Sequence, residues 1–471
     1  MAAEVMRVHF AGVAGVFMSA LAALAKEAGH CVSGSDSAFY PPGGDSARQL
    51  GITLYESYEA AARDCRADLY VIGNALSRGN PLAERILNDG EEYVSGPQWL
   101  YENVLRRRKV LAVAGTHGKT TTASLLIKIL DAAKMSPGFV VGGASCGDAG
   151  GGALARSGKG EWFVVEADEY DSAFFDKRPK FLHYRPRAAI INNVEFDHAD
   201  IYDGIDDIVR QFHYLLRAVP KNGAVIANAD SPALGDALRM GVYSPVVFFN
   251  TGKKGDKGGN DNHYWHWHYD GGEMIVFGEG EEQCRLHPPL AGAANRDNIT
   301  AALAAAHFAG VDIRHAREYL QDYRPPLRRL QKVYDEGGIT MLDDFAHHPS
   351  AYKATIAAAG ERYAGRRIVA VVEAASNSMK AGVFGDALAH ALSAADMVFI
   401  SDEKLQWDLR GALSPLADKV CVCDNNDALC AQVAKAARRG DCIVLMSNGS
   451  FGGAATKIAA ALTKTTGRKE Q

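Results

Sequence analysis

The chain has 471 residues, of which 47% are hydrophobic and 23% charged, with a formal net charge of -5 at pH 7. This length predicts about three domains, and the composition excludes a disordered chain. The acidic balance disfavours a dedicated nucleic-acid binder, because phosphate backbones select for clustered Lys and Arg. The sequence MAAEVMRVHFAGVAG lacks the basic region of a secretion signal, and no long apolar run predicts a membrane span. We therefore expect a cytoplasmic protein that acts on small molecules, with neither a nucleic-acid nor a membrane partner.

Residues 1–107 predict an α/β domain. Strand-like runs such as RVHFAGV and ADLYVIGN alternate with helical runs such as FMSALAALAKEAG, as in a parallel sheet covered by helices. Gly12 and Gly15 form a turn between the first strand and the following helix, and Asp36 closes the next apolar run. An acidic group there could meet a ribose hydroxyl. The full G-x-G-x-x-G pattern is missing, so a nucleotide site and a plain turn both stay open.

Residues 108–323 predict a second α/β domain, and the basic run at 106–109 marks the boundary with the first. Its first strand and helix enclose a glycine-interrupted loop in VLAVAGTHGKTTTASLLIKIL. Such a turn directs backbone N–H groups and the positive end of a helix at one point, which favours a phosphate chain over a plain turn. Val113 stands where G-x-x-x-x-G-K-[ST] has its first glycine, so the loop is a shortened variant.

The side chains of this loop predict a nucleotide triphosphate with a metal ion. Lys119 supplies a positive charge to the outer phosphates, and the hydroxyl of Thr120 is placed to bind Mg²⁺. The predicted phosphate-binding residues are Gly115, Thr116, His117, Gly118, Lys119, Thr120 and Thr121.

Acidic and histidine side chains follow two further apolar runs of this domain. WFVVEADEYD places Glu166 at the end of one strand, and IINNVEFDHADIY places Asp197 and His198 at the end of another. The carboxyl ends of parallel strands meet at one edge of a sheet, so we expect both groups to face the phosphate loop. Carboxylate and imidazole there suit Mg²⁺ bound to phosphate oxygens. A solvated acidic loop is the alternative for EADEYD.

Two other patterns favour a structural over a metal-binding interpretation. His263, His266 and His268 alternate with Trp265 and Trp267, as in one strand of a hairpin, although a metal or base-stacking site is the alternative. The chain has eight cysteines. The close pair in KVCVCDN alternates as a strand would, which favours reduced core thiols over a zinc site, since no second pair stands at ligand spacing.

Residues 324–471 predict a third α/β domain, because the two prolines after Arg324 end any helix. Strand-like runs RRIVAVVE, DMVFIS and DCIVLMS again alternate with Ala-rich helical runs. The fold class predicted from the pattern is therefore α/β, with three consecutive domains.

Several motifs taken together resemble the Mur ligases, ATP-dependent amide-forming enzymes of peptidoglycan assembly. In chain order they are GTHGKTTT, EADEYD, NNVEFDHADIY, GAANRDN, an Arg pair before DDFAHHP, and SNGSFGG. The resemblance spans nearly the whole chain. It implies a Rossmann-like N-terminal domain for a UDP-sugar, a central P-loop ATPase-type domain, and a Rossmann-like C-terminal domain for the incoming amine. It also implies that ATP and Mg²⁺ convert a muramyl carboxylate into an acyl phosphate, which the amine then opens.

The resemblance also implies roles for individual residues. Besides the phosphate loop, Asn295 would meet adenine, Arg329 the phosphates and Asp344 the ribose of ATP. His348 would lie near the reacting carboxylate. The implied metal ligands are Thr120, Glu166 and His198, and the implied UDP-sugar residues are Gly12, Gly15 and Asp36. Several relatives carry a modified lysine where this chain has His213, and the branch that accepts UDP-N-acetylmuramate lacks that lysine as well.

Within the family, the motifs look most like those of the branch that joins the murein tripeptide L-alanyl-γ-D-glutamyl-meso-diaminopimelate to UDP-N-acetylmuramate during recycling. Ala374 and Ala375 replace a Pro-Arg pair of that branch, and an arginine could pair with a peptide carboxylate where alanine cannot. The identity of the amine therefore stays open. One alternative is the L-alanine-adding branch, which usually has serine where this chain has Tyr170. Another is a nucleotide-binding homologue without ligase activity. The sequence predicts no oligomeric state.

Overall fold

The computed structural model describes residues 5–40, 42–143, 153–250, 264–403 and 405–467. The chain divides into two compact units. The first unit contains residues 1–195, 205–289 and 297–326, and the second contains residues 196–204, 290–296 and 327–471. Among the described residues, no helix combines the length and the apolar character needed to cross a lipid bilayer.

A five-stranded parallel sheet forms the N-terminal part of the first unit. Its strands are β1 (Arg7–Ala11), β2 (Cys31–Ser35), β3 (Thr53–Tyr55), β4 (Leu69–Ile72) and β5 (Tyr93–Ser95). The intervening helices are α1 (Val16–Glu27), α2 (Gly43–Gln49), α3 (Tyr58–Asp64), α4 (Pro81–Asp89) and α5 (Gly96–Asn103). The strand order is β3-β2-β1-β4-β5, the order of a Rossmann-type sheet, so the loop after β1 lies where the order reverses.

A ten-stranded sheet forms the rest of the first unit, in the order β17-β16-β15-β14-β13-β12-β6-β9-β7-β8 with the bounds that follow. Its parallel centre contains β6 (Lys109–Ala114), β7 (Gly138–Val140), β9 (Trp162–Ala167), β12 (Ala188–Ile191), β13 (Ala224–Asn228) and β14 (Val246–Asn250). Its margins contain β8 (Ala155–Arg156), β15 (Tyr264–Asp270), β16 (Glu273–Gly278) and β17 (Glu281–Leu286). Strands β10 (Asp171–Ala173) and β11 (Asp176–Pro179) form a separate antiparallel pair. The helices are α6 (Lys119–Ala132), α7 (Ile205–Ala218), α8 (Pro232–Arg239), α9 (Ala293–Phe308) and α10 (Ala316–Leu320). The first four residues of α9, 293–296, are grouped with the second unit.

The second unit is built on a six-stranded sheet, in the order β18-β19-β23-β20-β21-β22 with the bounds that follow. The strands are β18 (Gln331–Glu336), β19 (Ile339–Asp344), β20 (Arg367–Glu373), β21 (Met397–Ser401), β22 (Val420–Cys423) and β23 (Asp441–Met446). Only β18 pairs in antiparallel fashion among them. The helices are α11 (Pro349–Arg362), α12 (Asn377–Lys380), α13 (Gly385–Leu392), α14 (Leu409–Ala412), α15 (Asn426–Ala436) and α16 (Ala454–Gly467).

The central strands are buried and mostly apolar because helices cover both faces of a parallel sheet. In β6, Val110 to Ala114 are all buried, and in β23 every residue from Asp441 to Met446 is buried. The sheet of the second unit accordingly carries an apolar cluster on each face. Three sheets in succession confirm the predicted fold class of consecutive α/β domains. The boundaries 1–107, 108–323 and 324–471 remain a prediction.

The hairpin predicted for the His/Trp pattern is confirmed, since β15 and β16 pair in antiparallel fashion. His263 lies outside the described residues. The two cysteines of KVCVCDN lie on β22 as predicted, and Cys65, Cys284, Cys423, Cys430 and Cys442 are buried. The prediction of core thiols is wrong for Cys31, which is exposed near the start of β2, and Cys146 lies outside the described residues.

Candidate functional site

A glycine-bounded loop joins β6 to α6. Gly115 and Gly118 have φ angles of 125° and 79°, in the left-handed region that favours glycine. A Cβ atom at Gly115 would lie 2.9 Å from the carbonyl oxygen of Asn193, and one at Gly118 would lie 2.5 Å from Oδ1 of Asn298. The first turn of α6 has no side-chain cap at Gly118. Its backbone N–H groups are thus suited to an anionic ligand.

Three asparagines hold this loop, and sequence reasoning missed all of them. The side chain of Asn193 accepts a hydrogen bond from the backbone N–H of His117 at 2.8 Å. Asn192 donates to the hydroxyl of Thr122 at 3.0 Å, and that hydroxyl donates to Asn298 at 3.1 Å. Strand β12 ends at Ile191, so the asparagine pair in IINN, rather than the more distant Asp197 and His198, occupies the end of the strand. Two amides directly after a buried strand were the available signal.

Lys119 begins α6 beside two carboxylates. Its Nζ lies 3.2 Å from Oε2 of Glu169 and 3.5 Å from Oδ1 of Asp168. Burial lowers the pKa of Lys119, but the negative charges of Glu169 and Asp168 outweigh burial, so the pKa stands above its ordinary value. Lys119 is therefore a charged ammonium group at neutral pH.

Thr120, next to Lys119 on α6, contacts Glu166 on β9. The hydroxyl of Thr120 donates to Oε2 of Glu166 at 3.1 Å, and the backbone N–H of Gly142 donates to Oε1 at 2.6 Å. A hydroxyl and a carboxylate are hard oxygen donors, the type that Mg²⁺ prefers. The residues predicted for phosphate binding and Glu166 thus lie together in the first unit.

A cavity of about 330 Å³ lies at the end of the N-terminal sheet. Gly12, Gly15 and Asp36, which the sequence associated with a nucleotide, all line it. The carboxylate of Asp36 accepts hydrogen bonds from the backbone N–H of Ala14 at 3.0 Å and from that of Ser37 at 2.8 Å. The bond from Ala14 joins the glycine turn after β1 to the end of β2, where an open parallel sheet forms its ligand crevice.

Asp197 and His198 belong to the second unit. The buried carboxylate of Asp197 accepts hydrogen bonds from the hydroxyl of Ser378 and from the backbone N–H of His198, both at 2.8 Å. Burial raises the pKa of Asp197, but the charge of His198 and the bond from Ser378 outweigh burial, so the pKa lies below its ordinary value. His198 has a φ of 58°, an uncommon value for a residue with a side chain.

The other residues implied by the family resemblance also lie in the second unit. Asp344 is buried, and its carboxylate accepts hydrogen bonds from the backbone N–H groups of Leu330 at 2.8 Å and Ala346 at 2.9 Å. The Nδ1 atom of His348 caps α11, and its Nε2 lies 3.3 Å from the carbonyl oxygen of Phe196.

Arg329 and Asn295 are likewise held by neighbouring groups within the second unit. The guanidinium of Arg329 lies 5.1 Å from the ring centroid of Phe345. The Asn295 side chain donates to the carbonyl oxygen of Ala291 at 2.7 Å. Ala374, one of the two alanines in place of Pro-Arg, is buried directly after β20. The set implied by the resemblance is therefore divided between the two units.

A glycine-bounded loop between a parallel strand and a helix defines the central domain as a P-loop nucleotide-binding fold. Three family models match the chain in succession: the Mur ligase family catalytic domain over residues 7–108, the middle domain over 113–306, and the glutamate ligase domain over 328–449. The chain belongs to the Mur ligase family. It is therefore an ATP-dependent amide ligase with small-molecule substrates.

Individual relatives are similar over nearly their whole length. The chain is 40% identical to the UDP-N-acetylmuramate--L-alanyl-gamma-D-glutamyl-meso-2,6-diaminoheptandioate ligase of Haemophilus influenzae, over 96% of this chain and 98% of the relative. It is 41% identical to the ligase of the same name from Escherichia coli, over 98% and 99% of the two chains. The crystal structure of a murein peptide ligase from Psychrobacter arcticus superposes with a TM-score of 0.74 at 36% identity, over 97% of this chain and 98% of the other.

Proposed function

We propose that this chain joins the tripeptide L-alanyl-γ-D-glutamyl-meso-diaminopimelate to UDP-N-acetylmuramate, using ATP, in peptidoglycan recycling. Full-length relatives with this ligase name support the choice of substrates. The observation that carries the proposal is the phosphate loop, where Lys119 and Thr120 contact Glu169 and Glu166.

The reaction would proceed in two steps. A carboxylate oxygen of the muramyl group attacks the γ-phosphorus of ATP, which gives an acyl phosphate and releases ADP. The amine of the tripeptide then attacks the acyl carbon, and phosphate leaves as the amide forms. Both steps develop negative charge on oxygen, so the fixed charge of Lys119 and the amides of the loop would stabilise them.

Mg²⁺ fits the donor set of the first unit. Thr120 and Glu166 would hold it, and when bound it would neutralise charge on the phosphate oxygens. For His198 the role of metal ligand rests on the family resemblance alone. The roles of Asn295, Arg329, Asp344 and His348 rest on the same ground.

Each of the three predicted domains would bind one substrate. Residues 1–107 would bind the UDP-sugar, residues 108–323 would bind ATP, and residues 324–471 would bind the tripeptide. In keeping with its full-length ligase relatives, we place the enzyme in the cytoplasm, with neither a nucleic-acid nor a membrane partner.

Release of phosphate from ATP tests the function. The protein is incubated with ATP, Mg²⁺ and UDP-N-acetylmuramate, and then offered the tripeptide, L-alanine or no amine. We expect phosphate to be released only when the tripeptide is the amine offered. Turnover with L-alanine would instead favour the alanine-adding alternative, which Tyr170 argues against. Absence of turnover with every amine would favour a nucleotide-binding protein without ligase activity.

A further inference from the structure

Lys180 adds a positive charge to the cavity of the N-terminal sheet. It starts a short 3-10 helix that follows β11, and its side chain is 12% exposed. Among the described residues that line the cavity, Lys180 alone carries a positive charge. The other charged lining residue is Asp36, which backbone N–H groups already engage. An anionic group that enters this cavity therefore meets Lys180.

Lys180 is also joined to the phosphate loop through a single carboxylate. Its Nζ lies 3.1 Å from Oδ2 of Asp168, and Oδ1 of the same carboxylate lies 3.5 Å from Nζ of Lys119. The two ammonium groups thus stand on either side of Asp168. Lys119 belongs to the loop assigned to ATP, and Lys180 lines the cavity assigned to the nucleotide sugar.

The position of Lys180 is well defined. Its backbone N–H donates to the carbonyl oxygen of Tyr170 at 3.0 Å, and its Nζ lies 5.7 Å from the Tyr170 ring centroid and 5.8 Å from that of Phe17. An ammonium group has three N–H donors, and Asp168 accepts one of them. The others can be offered to a ligand at little further cost in side-chain entropy.

We propose that Lys180 binds the carboxylate of UDP-N-acetylmuramate and holds it next to the phosphate loop. This inference rests on the proposed function. The carboxylate must reach the γ-phosphate of ATP, and Lys180 is the cation of the cavity that is linked to Lys119. The diphosphate of the same substrate is suited instead to the glycine turn and the N-terminus of α1, which has no side-chain cap at Gly15.

Calorimetric titration with two nucleotide sugars tests the assignment. UDP-N-acetylmuramate carries the carboxylate, whereas UDP-N-acetylglucosamine has the same uridine diphosphate and lacks it. Lys180→Met should weaken binding of the first roughly 10- to 100-fold, as expected for a lost charge-assisted hydrogen bond. Binding of the second should change less than about twofold. Lys180→Arg should restore most of the affinity for the first, because the charge is retained.

Lys177→Met is the matched control. Lys177 lies three residues away, its side chain is 70% exposed, and it pairs with Asp171. The Lys177→Met variant should bind both nucleotide sugars with the affinity of the wild type. If Lys180→Met lost the same affinity for both nucleotide sugars, Lys180 would bind the diphosphate. If it lost affinity for neither, Lys180 would not contact the bound sugar. Both results would overturn this inference alone. Failure of the wild type to bind UDP-N-acetylmuramate would overturn the proposed function as well.

Discussion

At the scale of single residues, charge inside the protein is set by its immediate partners. Lys119 remains cationic although its side chain is only 16% exposed, because Glu169 and Asp168 lie beside it. His9 shows the opposite case. It is fully buried, and within the described ranges only hydroxyl and thiol groups lie at hydrogen-bond distance from its ring nitrogens. Each environment leads to a separate prediction.

Replacing Lys119 by alanine should stop the reaction while leaving the nucleotide-sugar site intact. Lys119 does not line the N-terminal cavity, and its charge is expected to act on the phosphates of ATP. We expect the rate of phosphate release to fall by at least about 100-fold, with the Kd for UDP-N-acetylmuramate changed less than about threefold. Lys128→Ala, on the same helix, serves as the control and should keep full activity. Loss of sugar binding together with turnover would contradict separate nucleotide sites.

The buried imidazole of His9 should make the protein less stable in mild acid. Burial, together with the charge of Arg85, lowers the pKa of His9 from its ordinary 6.5 to about 3. Between these values the unfolded chain takes up a proton at His9 and the folded chain does not, so the stability due to His9 is present above pH 6.5 and is lost as the pH falls. The free energy of unfolding should lose roughly 2 kcal/mol on this account between pH 6.5 and about pH 5.

Urea denaturation at both pH values measures the effect. His9→Asn cannot take up a proton and should lose less stability than the wild type over this interval. His287→Asn, at an exposed histidine, is the control and should retain the dependence of the wild type. Identical pH dependence in wild type and His9→Asn would contradict the assignment to His9.

At the scale of secondary-structure elements, the loop between β6 and α6 depends on backbone conformation and on close neighbours. Gly118 has a positive φ, and a Cβ atom there would lie 2.5 Å from Oδ1 of Asn298 and 2.8 Å from Nδ2 of Asn192. Alanine in this conformation costs about 1 kcal/mol by itself. Displacing the two asparagines would add to that cost and would also move the amides expected to bind phosphate.

Comparison of two glycines separates these contributions. Gly79 has a φ of 88°, and a Cβ atom there would meet nothing within 4 Å. Gly79→Ala should lower the free energy of unfolding by about 1 kcal/mol and leave the KM for ATP unchanged. Gly118→Ala should cost roughly 1 kcal/mol more and raise that KM several-fold. Equal effects of the two substitutions on stability and KM would show that the asparagines do not confine the loop.

At the scale of the whole molecule, spatial grouping differs from chain order. Residues 196–204 follow β12 of the first unit in sequence, yet they belong to the second unit. Ser378 holds them there, since its hydroxyl donates to Asp197 at 2.8 Å and accepts from the backbone N–H of Ala199 at 3.3 Å. A pair of hydrogen bonds between residues far apart in sequence thus helps to position His198.

Removing this hydroxyl should loosen the segment. Ser378→Ala deprives Ala199 of its acceptor and Asp197 of a donor, so amide hydrogen exchange in residues 196–204 should accelerate by roughly 10-fold. The pKa of Asp197 should rise as well, because a bond to its charged form is lost. Ser393→Ala is the control, since its hydroxyl bonds only to the nearby carbonyl oxygen of His390 among the described residues. Unchanged exchange in Ser378→Ala would show that Ser378 does not hold the segment.

The fold class and the glycine-bounded turn between β6 and α6 could both be predicted from sequence patterns. Both depend on short-range patterns: apolar strands alternating with helical runs, and glycines on either side of a strand-to-helix turn. Gly115 and Gly118 adopt the positive φ angles such a turn requires. The family motifs are likewise short stretches of sequence, and they are sufficient to indicate the Mur ligase family.

The residues that complete these local features come from distant parts of the chain, and their positions follow from the three-dimensional fold. The bonds from Asn192 and Asn193 to the loop, the link from Lys180 through Asp168 to Lys119, and the grouping of residues 196–204 with Ser378 all join segments far apart in the chain. Periodicity and turn composition describe the backbone within about 20 residues and carry no distance between segments. Those distances are set by how the strands order themselves in each sheet.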